Sequence, residues 1–328
     1  MAILVAGPRW VGDMVMAHAL IRTVHERHPD EPIDVIAPAG SLAVARRMAE
    51  VRECISAPFA ANRLGLGERF RIGRSLAGRY RQAFVLQGSW KSALVPFFAR
   101  IPRRTGYRGE FRYGLLNDIV PRPERDRRKT AHMFQRLAGG GEFLPPRLGV
   151  DHDNRARLLD EHKLAGRNFV CLMPGAEFGP AKRWPAERYA ALAADLLRRN
   201  MAVIVLGSPR DAPVGAEIAA AAPEVIELTG RTRLEDAVDL LSAARVAVTN
   251  DSGLMHVAAA VDTPVVAIYG PTSSEDTPPL TDRRELVSLN LDCSPCHQRT
   301  CPLDHHNCME MLEISRVRAA VDRFLAGT

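Results

Sequence analysis

An α/β fold of two Rossmann-like domains is predicted by three features of this 328-residue sequence: short apolar runs alternate with longer helical patterns, several of those runs end in glycine, serine, asparagine or aspartate, and the rhythm breaks once near the middle. Parallel strands require crossover connections, so the alternation implies parallel sheets flanked by helices. The length suits two domains of ordinary size. Hydrophobic residues at 46% and charged residues at 25% supply packed cores and set aside a disordered chain.

The first half opens on AILVAG, apolar enough to lie buried on both faces of a sheet. A helical pattern over residues 14–28, the strand IDVIAP, a helix near 42–49 and the strand AFVLQG follow. Around residues 145–153 the chain reads PPRLGVDHDN, and a polar helical stretch runs to Lys163. Proline, glycine and charge between two periodic regions mark a linker. The second half repeats the rhythm with strands NFVCLMPG, AVIVLGSP, VIELTG, VAVTND and PVVAIYGP, and helices near 186–199, 214–221, 234–243 and 254–260. No repeat is short enough for a solenoid. Open parallel sheets bind ligands beyond the carboxyl ends of their strands, so the polar strand ends are the candidate sites and two sheets facing across a cleft are expected.

The net charge of +6 and the pI near 9.2 favour anionic partners without separating nucleic acid from nucleotide, phosphate or a membrane surface. Arginine is concentrated at Arg103, Arg104, Arg108, Arg112, Arg122, Arg125, Arg127 and Arg128, beside Lys129. A solvated basic loop and an anion-binding face both fit that pattern. No apolar run reaches the roughly 18 residues of a membrane span, and the N-terminus lacks a basic region followed by a cleavage site, so a cytoplasmic location is expected.

GPRWVGDM, residues 7–14, joins the first strand to the first helix. Its glycines permit a tight turn, and the helix N-terminus offers amide groups to an anion. Asp13 sits there, either as a first-turn residue favoured by the helix dipole or as a general base. MPGAEFGPAKRWP, residues 173–185, places Lys182 and Arg183 before a helix with proline in its first turn. Lys182 is a compact charge suited to a diphosphate, or simply a surface residue. VLGSPRD, residues 205–211, puts Gly207 and Ser208 at a turn and Asp211 where it caps a helix or accepts from ribose hydroxyls. VTNDSGLMHVAAA, residues 248–260, is the strongest local signal. A strand ends in Asp251, Ser252-Gly253 opens a helix suited to phosphate, and His256 lies one turn in, as a site residue or a core histidine. YGPTSSEDTPP, residues 269–279, adds a hydroxyl-rich loop.

These motifs together with KSALVPFFARIPRRTGYRGEFRYGLLND, residues 91–118, resemble glycosyltransferase family 9, the heptosyltransferases of lipopolysaccharide inner-core assembly, in the same order and over nearly the whole chain. The long block is similar in particular to the branch that adds the second heptose. The resemblance implies a GT-B fold, with an acceptor-binding domain at 1–152 and an ADP-heptose-binding domain at 153–312, and a last helix at about 313–328 expected to pack back on the first domain. It implies Asp13 as base and Lys182 at the donor phosphates. Glu177, Gly207, Ser208, Asp211, Thr232, Asp251, Ser252, Gly253 and His256 would bind donor, with Asp251 on heptose hydroxyls, the Ser252 and Gly253 amides on the diphosphate and Thr232 near adenine.

The expected chemistry is an inverting displacement: Asp13 deprotonates an acceptor hydroxyl, which attacks the anomeric carbon opposite ADP, without a required metal. The acceptor implied is Kdo2-lipid A carrying one heptose, at the cytoplasmic face of the inner membrane. Lys91, Arg103, Arg104, Arg108 and Arg112 would hold its anionic groups.

Cys293, Cys296, Cys301 and Cys308 form C-x2-C-x4-C-x6-C with His297, His305 and His306 among them, a composition compatible with structural zinc but irregular in spacing for a zinc ribbon. Cys54 and Cys171 stand apart, and disulfides are not expected in a cytosolic chain. Two rivals differ in class. The first is another enzyme of the same fold, either a heptosyltransferase adding a different core heptose, of the first or third type, or a nucleotide-sugar epimerase, which needs a second carboxylate at the reacting centre that the motifs do not supply. An RNA-binding module needs stacking aromatics, and aromatics are 6% of the chain, so nucleic acid is not an expected partner.

Overall fold

A computed structural model describes residues 1–57, 64–122 and 129–326. The chain divides into two compact domains, residues 1–147 and 148–328, five residues before the expected boundary. Arg125, Arg127 and Arg128 of the basic segment lie outside the described residues.

The first domain is a six-stranded parallel sheet of β1 (Ala2–Ala6), β2 (Ile33–Ala37), β3 (Val51–Ser56), β4 (Tyr80–Val85), β5 (Arg103–Tyr107) and β6 (Asp118–Val120), in the order β3-β2-β1-β4-β5-β6. β1 is apolar along its length because every one of its residues is buried between helical layers. The helix Val11–Arg27 follows it and buries Leu20, Ile21 and Val24. β3, β5 and β6 were not expected as strands. β3 and β6 alternate little and are half-exposed, and β5 is RRTGY, so none carries the apolar run that marked the central strands.

The second domain holds β7 (Phe169–Met173), β8 (Ala202–Val205), β9 (Ile226–Glu227), β10 (Val246–Asn250), β11 (Val265–Ile268) and β12 (Arg284–Val287), all parallel, in the order β12-β11-β10-β7-β8-β9. Counted from each domain's own first strand, both sheets read 3-2-1-4-5-6. In that order the connections leave to opposite sides between the first and fourth strands, and the crevice outside those two strand ends is the ligand position. It lies at β1/β4 in one domain and β7/β10 in the other.

The last helix, Ile314–Leu325, corrects one expectation. It packs on the second domain, against β10, β11, β12 and the helix Ala186–Arg198, instead of returning to the first. The reason is its stripe of Val317, Ala320 and Val321, spaced to form one helical face, which completes the core around Trp184 and Leu196. The Trp184 indole N–H donates to the Leu312 carbonyl at 2.8 Å and fixes the approach to that helix.

Candidate active site

Lys182 and Asp251 meet at the β7/β10 crevice. Lys182 comes from the loop after β7, and its Nζ lies 2.5 Å from Asp251 Oδ2 at the end of β10. Both groups are nearly buried, with side chains 12% and 6% exposed. The Thr272 hydroxyl, from the loop after β11, donates to the same carboxylate oxygen at 2.7 Å. A buried carboxylate is tolerated only when paired and hydrogen-bonded, and here a cation and a hydroxyl do both. Lys182 also sits 4.9 Å above the Phe178 ring, whose face attracts the ammonium.

Asn250 sets the registry of these loops. Its side-chain oxygen accepts from the Trp184 N–H and the Tyr189 hydroxyl, both at 3.1 Å, while its Nδ2 donates to the Pro174 carbonyl at 2.7 Å. One buried amide thus clamps the start and end of the loop that carries Lys182. Nothing in the local sequence pattern assigned it this task.

Beyond Asp251 the helix Gly253–Ala260 begins with Ser252 at its N-cap in extended conformation. Its first-turn amides have no partner within the helix by construction, which makes them donors for an anion. His256 lies inside that helix, 4% exposed, with Nδ1 buried and unpartnered among the described residues. Burial pushes its pKa down to about 4, against the opposing pull of Asp251 and with a further push from Lys182. It is therefore neutral near pH 7 and serves as a donor or acceptor, not as a charge.

The neighbouring loop is built around Asp211. The Ser208 N–H and hydroxyl donate to Asp211 Oδ2 at 2.9 and 2.7 Å, a capping box around the 3-10 turn Pro209–Asp211 that leads into the helix Ala212–Ala221. Arg183 lies 3.7 Å from Oδ1. Asp211 thus closes the turn that precedes the helix, and both of its oxygens face protein groups. A Cβ on Gly175 would come within 2.5 Å of that carboxylate, so the loop after β7 and the loop after β8 pack through a glycine. Glu177 is on the surface and accepts from Arg210 at 3.1 Å. Thr232 is half-buried after Gly230, whose φ of +71° turns the chain where its amide donates to the Gly207 carbonyl at 2.9 Å.

In the first domain a cavity of about 300 Å³ opens at the strand ends, lined by Gly7 and Arg9 after β1, Gln87, Ser89 and Lys91 after β4, Arg69, and Glu110. Three cations against one carboxylate favour an anionic occupant. Arg69 is 7% exposed and donates to the carbonyls of Leu64 and Lys91 at 2.7 and 2.9 Å, and burial lowers its pKa. Asp13 lies in the first turn of the helix Val11–Arg27, on the same strand-to-helix turn that supplies Gly7 and Arg9.

Lys91 lines this cavity, and the arginines divide. Arg112 is corrected: at 2% exposure it donates to the carbonyls of Gln87 and Tyr107, both at 2.5 Å, and fastens two loops instead of facing a ligand. Arg104 is largely committed in the same way, to Ile101, Leu115 and Gly114 at 2.6, 2.7 and 3.3 Å. Arg103 pairs with Asp118 at 2.8 Å at the sheet edge, and Arg108 is exposed. Arg9 and Arg69 were missed. Arg9 stood in GPRWVGDM as quoted, whereas only the fold brings Arg69 there.

Cys293, Cys296, Cys301 and Cys308 line one small cavity of about 20 Å³ with His305 and His306. Burial, then the neighbouring Cys296, Cys293 and Cys301, push the Cys308 thiol up to about 11. Among the described residues no set of three or more Cys, His, Asp or Glu meets the geometry of a metal site. The segment has a visible mechanical role. The Arg299 carbonyl accepts from the Ala181 N–H at 3.1 Å, and the His306 ring donates to the Ala181 carbonyl at 2.8 Å, bracing the residue before Lys182.

The sequence profile of glycosyltransferase family 9 (heptosyltransferase) matches residues 69–307. The chain is 45% identical to the lipopolysaccharide heptosyltransferase 2 of Salmonella typhimurium, over 88% of each chain. It is 43% identical to the lipooligosaccharide heptosyltransferase 2 of Haemophilus influenzae, over 88% of this chain and 89% of that one. The solved structure of E. coli ADP-heptose LPS heptosyltransferase II superposes with a TM-score of 0.89 at 39% identity, over 99% of both chains. With two parallel six-stranded Rossmann domains of GT-B type and these relatives, the chain belongs to glycosyltransferase family 9, the heptosyltransferases.

Proposed function

We propose that this enzyme transfers heptose, with inversion, from ADP-L-glycero-D-manno-heptose to the first heptose of a Kdo2-lipid A inner core. The observation that carries the reading is the Lys182–Asp251–Thr272 cluster beside the helix mouth at Ser252 and Gly253, in a chain 45% identical to a heptosyltransferase 2.

The Lys182 ammonium has three donors. One holds Asp251, and the others reach the donor diphosphate together with the first-turn amides of the helix Gly253–Ala260. Charge gathers on the departing ADP as the glycosidic bond lengthens, and fixed donors in a buried site stabilise it without reorganising. Asp251 accepts from heptose hydroxyls, and neutral His256 adds a polar contact. Asp13 removes the proton from the acceptor hydroxyl, whose oxygen attacks the anomeric carbon from the face opposite ADP. The cationic cavity of the first domain holds the acidic sugars of the acceptor through Arg9 and Lys91, with Arg69 shaping its wall. Every step rests on side chains and amides of this chain, and none calls on a metal ion.

Among the described residues no helix is long and apolar enough to cross a membrane. The lipid-linked acceptor proposed above is what supports a peripheral position at the cytoplasmic surface of the inner membrane.

The test is ADP release with ADP-heptose and Kdo2-lipid A bearing zero, one or two heptoses. Turnover confined to the acceptor with one heptose is expected. Equal turnover on the heptose-free acceptor would overturn the assignment of the second heptose, and no turnover on any would overturn the donor and acceptor together.

A further inference from the structure

Every exposed large aromatic side chain among the described residues belongs to the first domain: Trp10, Phe70, Trp90, Phe97, Phe111 and Tyr113. Two of them, Phe70 and Phe97, line one open groove of about 580 Å³. Phe70 and Arg74 line it from the helix Leu66–Ser75, one turn apart on a single face, and Phe97, Phe98, Arg100 and Arg104 complete it. The rings form a cluster, with Phe70 and Phe97 each edge-on to Phe98 at 5.3 and 5.7 Å, and the Arg104 guanidinium stands 5.8 Å from the Phe97 ring. Arg104 continues the surface by holding the Gly114 and Leu115 carbonyls of the loop that carries Phe111 and Tyr113, 93% and 65% exposed.

A monomer's surface scatters single apolar residues, but contiguous aromatic area marks an interaction site. Aromatic rings interleaved with arginines match an anionic bilayer, where rings settle at the headgroup level and each cation near the surface gains electrostatic attraction. Two carboxylates of the adjoining segments are engaged: Asp118 accepts from Arg103 and Thr105 at 2.8 and 2.7 Å, and Glu110 accepts from the Trp90 N–H at 3.2 Å.

We propose that the face formed by Phe70, Phe97, Phe111 and Tyr113 with Arg74 and Arg100 is the surface by which this enzyme docks on anionic lipid bilayers. It rests on the lipid-linked acceptor assigned above, and it concerns a surface separate from Asp13 and from the donor cluster.

The experiment is sedimentation of the full chain with phosphatidylcholine vesicles containing or lacking phosphatidylglycerol, which requires neither donor nor acceptor. Binding to the anionic vesicles, weakened by salt, is expected. Phe70→Ser with Phe111→Ser, and separately Arg74→Glu with Arg100→Glu, should each lower it at least tenfold. Both pairs change exposed side chains and should unfold at the wild-type temperature and keep wild-type turnover on a deacylated acceptor. Equal binding to neutral vesicles, or wild-type binding by both pairs, would overturn the proposal. So would a concentration-dependent dimer abolished by the same substitutions, because a second copy would then cover the face. Vesicle binding by an enzyme that releases no ADP would instead sink the proposed function and leave the docking surface standing.

Discussion

The two domains share a strand order but use their strand ends in different ways. At β7/β10 the polar groups close on one another, with Lys182, Asp251 and Thr272 locked together and Asp211 satisfied by Ser208. At β1/β4 the sheet ends in a cavity of about 300 Å³ with Arg9 and Lys91 on its wall. One end is preorganised around a few buried contacts, and the other offers room and positive charge. The contrast teaches that the same strand order can present either fixed, mutually bonded polar groups or open volume with positive field, the first suited to the donor and the second to the acceptor under the function proposed above.

The comparison breaks most severely if the base is misplaced. Asp13→Asn should retain ADP binding and lose about 10³-fold in turnover, within the range of general-base removal, as read by steady-state ADP release. Undiminished turnover would remove the catalytic role from the first domain.

Acid should separate the domains next. Burial holds His256 at about 4, so the folded second domain refuses a proton that the unfolded chain accepts. Its contribution is whole above the ordinary histidine value near 6.5 and declines as pH falls toward 4, a loss on the order of 3 kcal/mol. Glu50 acts with the same sign in a lower pH window. Burial works against its charge, but the hydrogen bond and charge of His18 hold its pKa below 4.5, so its contribution persists until the pH falls below that ordinary value. Emission from buried Trp184 should report loosening of the second domain at a higher pH than loss of the helix Val11–Arg27 by hydrogen exchange.

Lys182→Met should cost about 10²-fold in turnover and also lower stability, since it leaves Asp251 buried without its cation. Adding Asp251→Asn should recover stability but not turnover. Lys91→Ala should raise the acceptor KM about tenfold, the scale of one charge-assisted contact, with the donor KM unchanged. Arg103→Ala should stay within about 0.5 kcal/mol by thermal unfolding, because its ion pair with Asp118 is exposed.

What was legible in the sequence follows from what short range encodes. The central strands and the helices that follow them were visible because apolar periodicity is local, and Lys182, Asp251, Ser252 and His256 converge because strand-end loops meet at a switch point. The arginine block misled at Arg104 and Arg112, since composition cannot distinguish a guanidinium that binds a ligand from one that staples carbonyls. The buried network of Asp34, bonded to Arg52 at 2.9 and 2.6 Å and to Tyr80 at 2.7 Å, had no local signature either, as its partners are 18 and 46 residues away. The same holds for His18 and Glu50, 2.7 Å apart across 32 residues, and for Arg69 in the cavity wall.

Asn250 carries a further consequence, in the chemical ageing of the protein. Its amide is spent on three partners, two that donate to its oxygen and one carbonyl that receives from its nitrogen. Deamidation replaces that nitrogen with an oxygen of nearly the same size, which would then face the Pro174 carbonyl with no proton between them. A change of almost no volume would set two acceptors against each other in a buried site and loosen the loop that presents Lys182. Complete burial of Asn250 keeps that hydrolysis slow, so the shelf life of the Lys182–Asp251 cluster is tied to the packing around a single amide.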